Sequence, residues 1–160
     1  MKKWEQQWDE YIPVGSIRDG VTDETVKFAE KFGKHLAKSG RHTENRTNPK
    51  TRKVESVPVE ESKLTTSQLR KFFGEVKRQQ MIGYQESSFV LLKPKLAYAV
   101  GRVKDGKKYY KIEDLYNVLT KAIDIVVSNE TIDKSKAFKN FIAIFEAIVA
   151  YHKAYIEKDN

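Results

Sequence analysis

Apolar side chains recur at helical spacing over five stretches of the chain. The first runs from Thr22 to Gly40. Thr22 reads as an N-cap, Asp23 and Glu24 put acid in the first turn, and Val21 and Val26 stand where a hydrophobic staple would form. Phe28, Ala29, Phe32 and Leu36 form one stripe, and Gly40 supplies the C′ residue. The second starts in LTTSQLRKFFGEVKRQQ, where Thr65 and Gln68 spell a capping box and Leu69, Phe72, Phe73 and Val76 share a side. The third, capped by Ser87 or Ser88, runs toward Arg102 with Leu92, Leu96, Ala99 and Val103 as its buried stripe. Lys111 to Asn129 is the most regular, carrying Ile112, Leu115, Tyr116, Leu119, Ala122, Ile123, Val126 and Val127. The fifth spans about Lys136 to Glu157; its apolar residues spread widely around the axis, which predicts the central helix.

Pro94 interrupts the third helix. Proline has no N–H to give to residue 90, so the helix either kinks there or begins anew with Pro94 at its first position. In the new-start case, free amides near Lys93 and Lys95 would favour a phosphate.

Outside these stretches the pattern changes. Trp4, Trp8 and Tyr11 predict a short amphipathic helix ended by Pro13 and Gly15, with its tryptophans packed on the body rather than free to dock a partner. Residues 41–63 show no apolar periodicity. They hold Pro49, Pro58 and the cations Arg41, Arg46, Lys50, Arg52 and Lys53, and read as a long, flexible basic linker or an arm that orders on nucleic acid. Period-2 alternation is absent apart from a short trace at Lys108 to Ile112. The expected architecture is all-α: a bundle of about five helices with a long mobile loop. Residues 1–21 form an N-terminal segment and 22–160 a single helical domain containing the 41–63 linker.

Composition sharpens this picture. Thirty Lys and Arg against 22 Asp and Glu give a net charge of +8, which favours anionic partners. With no cysteine, disulfides, thiolate chemistry and cysteine-bound zinc are excluded. The opening Met1-Lys2-Lys3-Trp4-Glu5 lacks the apolar core of a secretory signal, and the apolar run near Phe141 to Tyr151 is broken by Glu146 and too short to span a bilayer. A soluble, cytoplasmic protein is expected.

Three histidines, His35, His42 and His152, occur without a metal-binding or phosphate-loop motif, and Asp114 and Asp124 form no grouped acidic pair. His152, near the apolar face of the last helix, reads as a hydrogen-bonded core residue. No catalytic residue, metal or cofactor is expected. Charge and geometry remain. On the second helix Arg70, Lys71, Lys77 and Arg78 fall opposite the apolar side within an arc of about 120°. On the third, Lys95, Tyr98 and Arg102 share a face. Cations spaced along a surface suit phosphates, and a tyrosine beside them suits a base or sugar.

Three segments in order, LTTSQLRKF (64–72), LLKPKLAYAVGR (91–102) and FEAIVAYHKAY (145–155), resemble the small subunit of type III-A CRISPR effector complexes, the Csm small subunit. The resemblance covers most of Thr22 to Tyr155 and omits the first twenty residues and the linker. It implies a non-catalytic helical protein stacked in several copies, beside the backbone and large subunits, along the target RNA and its duplex with the guide RNA. Arg70, Lys71, Lys77, Arg78, Lys95, Tyr98 and Arg102 would then contact RNA, with guide pairing supplying sequence specificity. A protein-interaction scaffold or a free-standing, non-specific RNA-binding domain are the alternatives.

Overall fold

The capping signals place the helices well. In the computed structural model, which describes residues 8–156, α2 spans Asp23–Leu36 behind N-cap Thr22, and α3 spans Thr66–Ile82 behind Thr65. The Thr65 hydroxyl accepts from the Gln68 amide at 3.1 Å, and the Gln68 side chain accepts from the Thr65 amide at 2.9 Å. These two bonds satisfy amides that an open helix end leaves free. α5 (Leu92–Val103), α6 (Ile112–Val127) and α7 (Lys134–Tyr155) complete the five long helices that the apolar spacing predicts. α7 lies at the centre, packed against α2, α3, α6 and the short α1 (Val14–Asp19). Its Phe141, Phe145 and Ile148 are fully buried with Phe32, Leu36 and Phe89.

The all-α expectation is corrected by a small three-stranded sheet. The stretch 41–63 is a β-hairpin rather than a long mobile loop: β1 (Gly40–Thr47) pairs antiparallel with β2 (Val54–Ser62), and β2 pairs parallel with β3 (Tyr109–Tyr110) at Glu61 and Ser62. The trace of alternation at Lys108 to Ile112 is this third strand. The hairpin escapes hydropathy because most of its body-facing positions are polar. Burial alternates through His42 and Glu44 on β1 and through Val57, Val59 and Glu61 on β2, so the period of 2 is carried by histidine and glutamate as well as valine. Gly40 accordingly opens a strand instead of closing α2, which ends at Leu36 with Ala37 as its C-cap.

Two further corrections follow from proline. Pro13 precedes α1 instead of ending a helix, and Gly15 lies inside it; before it, Trp8–Tyr11 form a 3-10 turn. Trp8 packs on Phe28, Phe32 and His35, its ring 4.9 Å from the His35 ring, while Trp4 falls outside the described residues. Glu157, at the predicted end of α7, also lies outside them. The Pro94 helix restarts. The short α4 (Glu86–Val90), behind Gln85, breaks at Leu91 and α5 begins at Leu92, which makes Pro94 the third residue of α5 and not the first. An amide there has no intrahelical acceptor, so proline costs nothing in lost hydrogen bonds. Among the described residues no helix is long and apolar enough to cross a membrane.

Candidate nucleic-acid interface

α3 buries Leu69, Phe72 and Val76 and thereby turns Gln68, Lys71 and Glu75 toward α5. α5 buries Leu92 and Leu96 and turns Lys95, Tyr98 and Arg102 the other way. The two helices leave between them an open groove of about 810 Å³. Phe72, Pro94, Ala99, Val103 and Ile112 form its apolar walls, and Lys71, Lys95, Tyr98 and Arg102 stand along it. Four of the seven residues singled out in the sequence thus come together from two separate helices. Tyr98 is 71% exposed, and the Arg102 guanidinium lies 6.0 Å from its ring centre, within cation–π reach. Ala99 and Val103, expected in the buried stripe, are only partly covered because they face this opening.

The other three separate. Lys77 leans toward α7 and donates to Glu146 at 2.6 Å. Arg78 binds Glu75 through two bonds, at 3.0 and 2.8 Å. Arg70 is exposed and makes no ion pair among the described residues. The arc of like charge on α3 is therefore divided, and two of its cations are already neutralised. The long side chains reach acids that lie 69 positions away, or one turn away, on the folded surface.

Glu75 also lines the groove. It accepts from Arg78 and also from Lys95, 3.0 Å away on α5, so one carboxylate ties the two groove helices together. The Arg78 hydrogen bonds first, and the Lys95 bond second, pull its carboxyl down to about 2. Lys93 is likewise engaged, with Asp124 at 2.5 Å. With Lys93 and Lys95 both paired to acids, the phosphate site suggested for the start of this helix has lost its two free lysines. Lys71 and Arg102 keep no acidic partner among the described residues.

The histidines all join elements. His152 Nε2 donates to the Leu64 carbonyl at 2.7 Å, and burial pushes its pKa down, so the ring is a neutral core donor. His35 binds Asp114 at 2.7 Å, joining α2 to α6. His42 binds Glu61 and Glu44, at 2.7 and 2.8 Å, within the hairpin. Among the described residues no group of His, Asp or Glu is arranged to hold a metal ion.

Fold and groove define a small, basic helical-bundle protein with a cation-lined surface channel and an attached β-ribbon. The chain belongs to the Csm2 Type III-A family, which it matches over residues 50–158, and is a subunit of a type III-A Csm effector. Neither a curated protein nor a solved structure matches it. The match takes in α3 to α7, and with them every groove residue, and begins in the turn between β1 and β2.

Proposed function

We propose that this Csm subunit is non-catalytic and lines the path of target RNA, with the α3–α5 groove along the sugar–phosphate backbone of the target strand and its duplex with the guide. Several copies stack beside the backbone and large subunits, so that each contributes one short cationic step. The observation that carries this reading is the convergence of Lys71, Lys95, Tyr98 and Arg102 on one open groove. Lysine supplies point charge, arginine binds a pair of phosphate oxygens, and the exposed Tyr98 ring offers a stacking face.

The test is the salt dependence of binding to single-stranded RNA by the purified protein. Lys71→Ala with Arg102→Ala is expected to weaken binding and to flatten the slope of log affinity against log salt by about 1–2 units, since each phosphate contact contributes about 0.7 on a single strand. An unchanged slope would refute the groove as an RNA channel. If the pair left RNA binding intact but weakened co-purification with other Csm subunits, the scaffold reading would replace it. Metal-dependent RNA cleavage by the pure protein would overturn the non-catalytic assignment.

Glu75 makes a second expectation. It occupies, as an internal anion, the position a phosphate would take against Lys95 and Arg78. Glu75→Gln releases both cations and is expected to tighten RNA binding several-fold while steepening the salt slope by about 1 unit. Stability should change by no more than about 1 kcal/mol, because the ion pairs are partly solvated. Weaker binding by this variant would show that Glu75 orients the groove cations instead of competing for them.

A further inference from the structure

The β1–β2 ribbon carries a second cationic surface, separate from the groove. Residues 48–53 contain Lys50, Arg52 and Lys53 and no acid. None of the three makes an ion pair with a described residue, whereas Arg41 and Arg46, lower on the ribbon, are paired with Glu60 and Glu44. The tip is built to hold its shape. The Asn48 amide donates to the Lys53 carbonyl at 2.8 Å, the Arg52 amide donates to the Asn48 carbonyl at 2.7 Å, and the Asn48 side-chain oxygen accepts from the Lys50 amide at 2.8 Å.

Arg52 sits at φ 58°, in the left-handed region that glycine and asparagine prefer. Backbone geometry alone would not select arginine there. The ribbon also lies beside the groove. A crevice between ribbon and body is lined by Arg46 and Val59 on one side and by Val100 and Lys104 on the other; Val100 lies in, and Lys104 directly follows, the end of α5 that carries Arg102. Glu44 and Glu113 also line this crevice and pair with Arg46 and Lys104, so the unpaired cations of the ribbon stand at its tip, beyond a charge-balanced base.

We propose that the β1–β2 ribbon is a second RNA-contacting arm, whose tip cations Lys50, Arg52 and Lys53 hold phosphates without reading sequence. The sequence of the tip, NPKTRK, contains no aromatic side chain to stack on a base and no large apolar anchor of the kind that centres a protein interface. Phosphate is the ligand that such a surface recognises, from either a single strand or a duplex. The proposal extends the RNA-lining reading but has a test of its own.

The full-length protein is titrated with a uridine homopolymer and with a mixed-sequence RNA duplex over a salt series. The tip variant Lys50→Ser, Arg52→Asn, Lys53→Ser removes the charge while asparagine keeps the left-handed backbone. A second variant replaces residues 48–53 by Asn-Gly between the paired Thr47 and Val54, a turn that preserves the strand register. Both are expected to lose about tenfold or more in affinity at low salt and about 2 units of salt slope on at least one of the two RNAs, and that RNA identifies the source of the phosphates. Unchanged affinity and slope on both RNAs would overturn the proposal. Intact RNA binding with weakened association to other Csm subunits would overturn it in favour of an acidic protein partner. A loss confined to the groove variant defeats the arm alone, and a loss confined to the tip variants defeats the groove alone.

Discussion

Glu61→Ala is expected to destabilise the protein by about 3 kcal/mol or more, the usual cost of leaving a buried charge without its partner. Glu61 belongs to β2, yet its side chain is only 4% exposed. One carboxylate oxygen binds His42 Nδ1 at 2.7 Å, and the other lies 3.8 Å from the Lys111 ammonium, itself 5% exposed. Lys111 also donates to the His35 carbonyl at 2.8 Å, and its own amide donates to the Ser62 carbonyl at 2.9 Å. The carboxylate therefore sits where the hairpin, the start of α6 and the end of α2 meet. Removing it leaves the Lys111 cation buried with less opposing charge, while His42 keeps only Glu44 among its two carboxylate partners. Glu61→Gln preserves the shape and one acceptor, so its smaller loss isolates the part due to charge. The urea midpoint measures both. A Glu61→Ala protein within about 0.5 kcal/mol of the parent would show that water reaches this cluster and neutralises it. Because the same cluster fixes the ribbon on the body, faster hydrogen exchange at the Glu61 and Ser62 amides should accompany the loss.

The same cluster explains what the chain reveals and what it conceals. Helices are legible because both of their signals are local. Thr65 and Gln68 announce α3 within four residues, and Leu69, Phe72 and Val76 report its buried side. The ribbon is concealed because three of the residues that face the body, His42, Glu44 and Glu61, are polar and satisfy one another, His42 bonding Glu44 along β1 and Glu61 across to β2. Hydropathy scores them as solvent-facing, whereas the fold buries His42 and Glu61 with the Lys111 ammonium beside them. Ion pairing hides the site in the same manner. A helical wheel places Lys77 and Arg78 on one exposed arc with Arg70 and Lys71. Only the fold brings Glu146 to Lys77, and only the α3–α5 approach lets Glu75 hold Arg78 and Lys95 together. The outward face of α5 was readable from spacing alone, since Lys95, Tyr98 and Arg102 lie on one side of a single helix. That the other side of the channel is Lys71 and Gln68, over a floor of Phe72 and Ile112, depends on how two helices pack, which no local pattern encodes.

Gly33→Ala should also destabilise the protein, by about 1–2 kcal/mol, against the direction that helix propensity dictates. Gly33 is buried within α2 at its crossing with α7, the most extensive helix–helix contact among the described residues. A β-carbon there would lie 2.8 Å from Tyr151 Cβ, 2.9 Å from the Ile148 carbonyl oxygen and 3.0 Å from the His152 amide nitrogen. Carbon atoms in contact normally sit about 3.5–4.0 Å apart, and none of these three is the end of a flexible side chain. Relief requires α2 and α7 to move apart. That shift loosens Phe32 and Leu36 against Phe145 and Ile148, and it draws His152 from the Leu64 carbonyl it binds at 2.7 Å. Overpacking of this kind costs about 1–3 kcal/mol and occasionally more, while alanine in place of glycine returns about 1 kcal/mol of helix propensity. Gly74 gives the matched control. It lies in α3, where an added β-carbon meets nothing within 4 Å, so Gly74→Ala collects the propensity gain without the clash and should stabilise. Opposite shifts in the thermal or urea midpoint are therefore expected for the same chemical change at two helical glycines. A Gly33→Ala protein as stable as its parent would mean that α2 and α7 do not approach this closely.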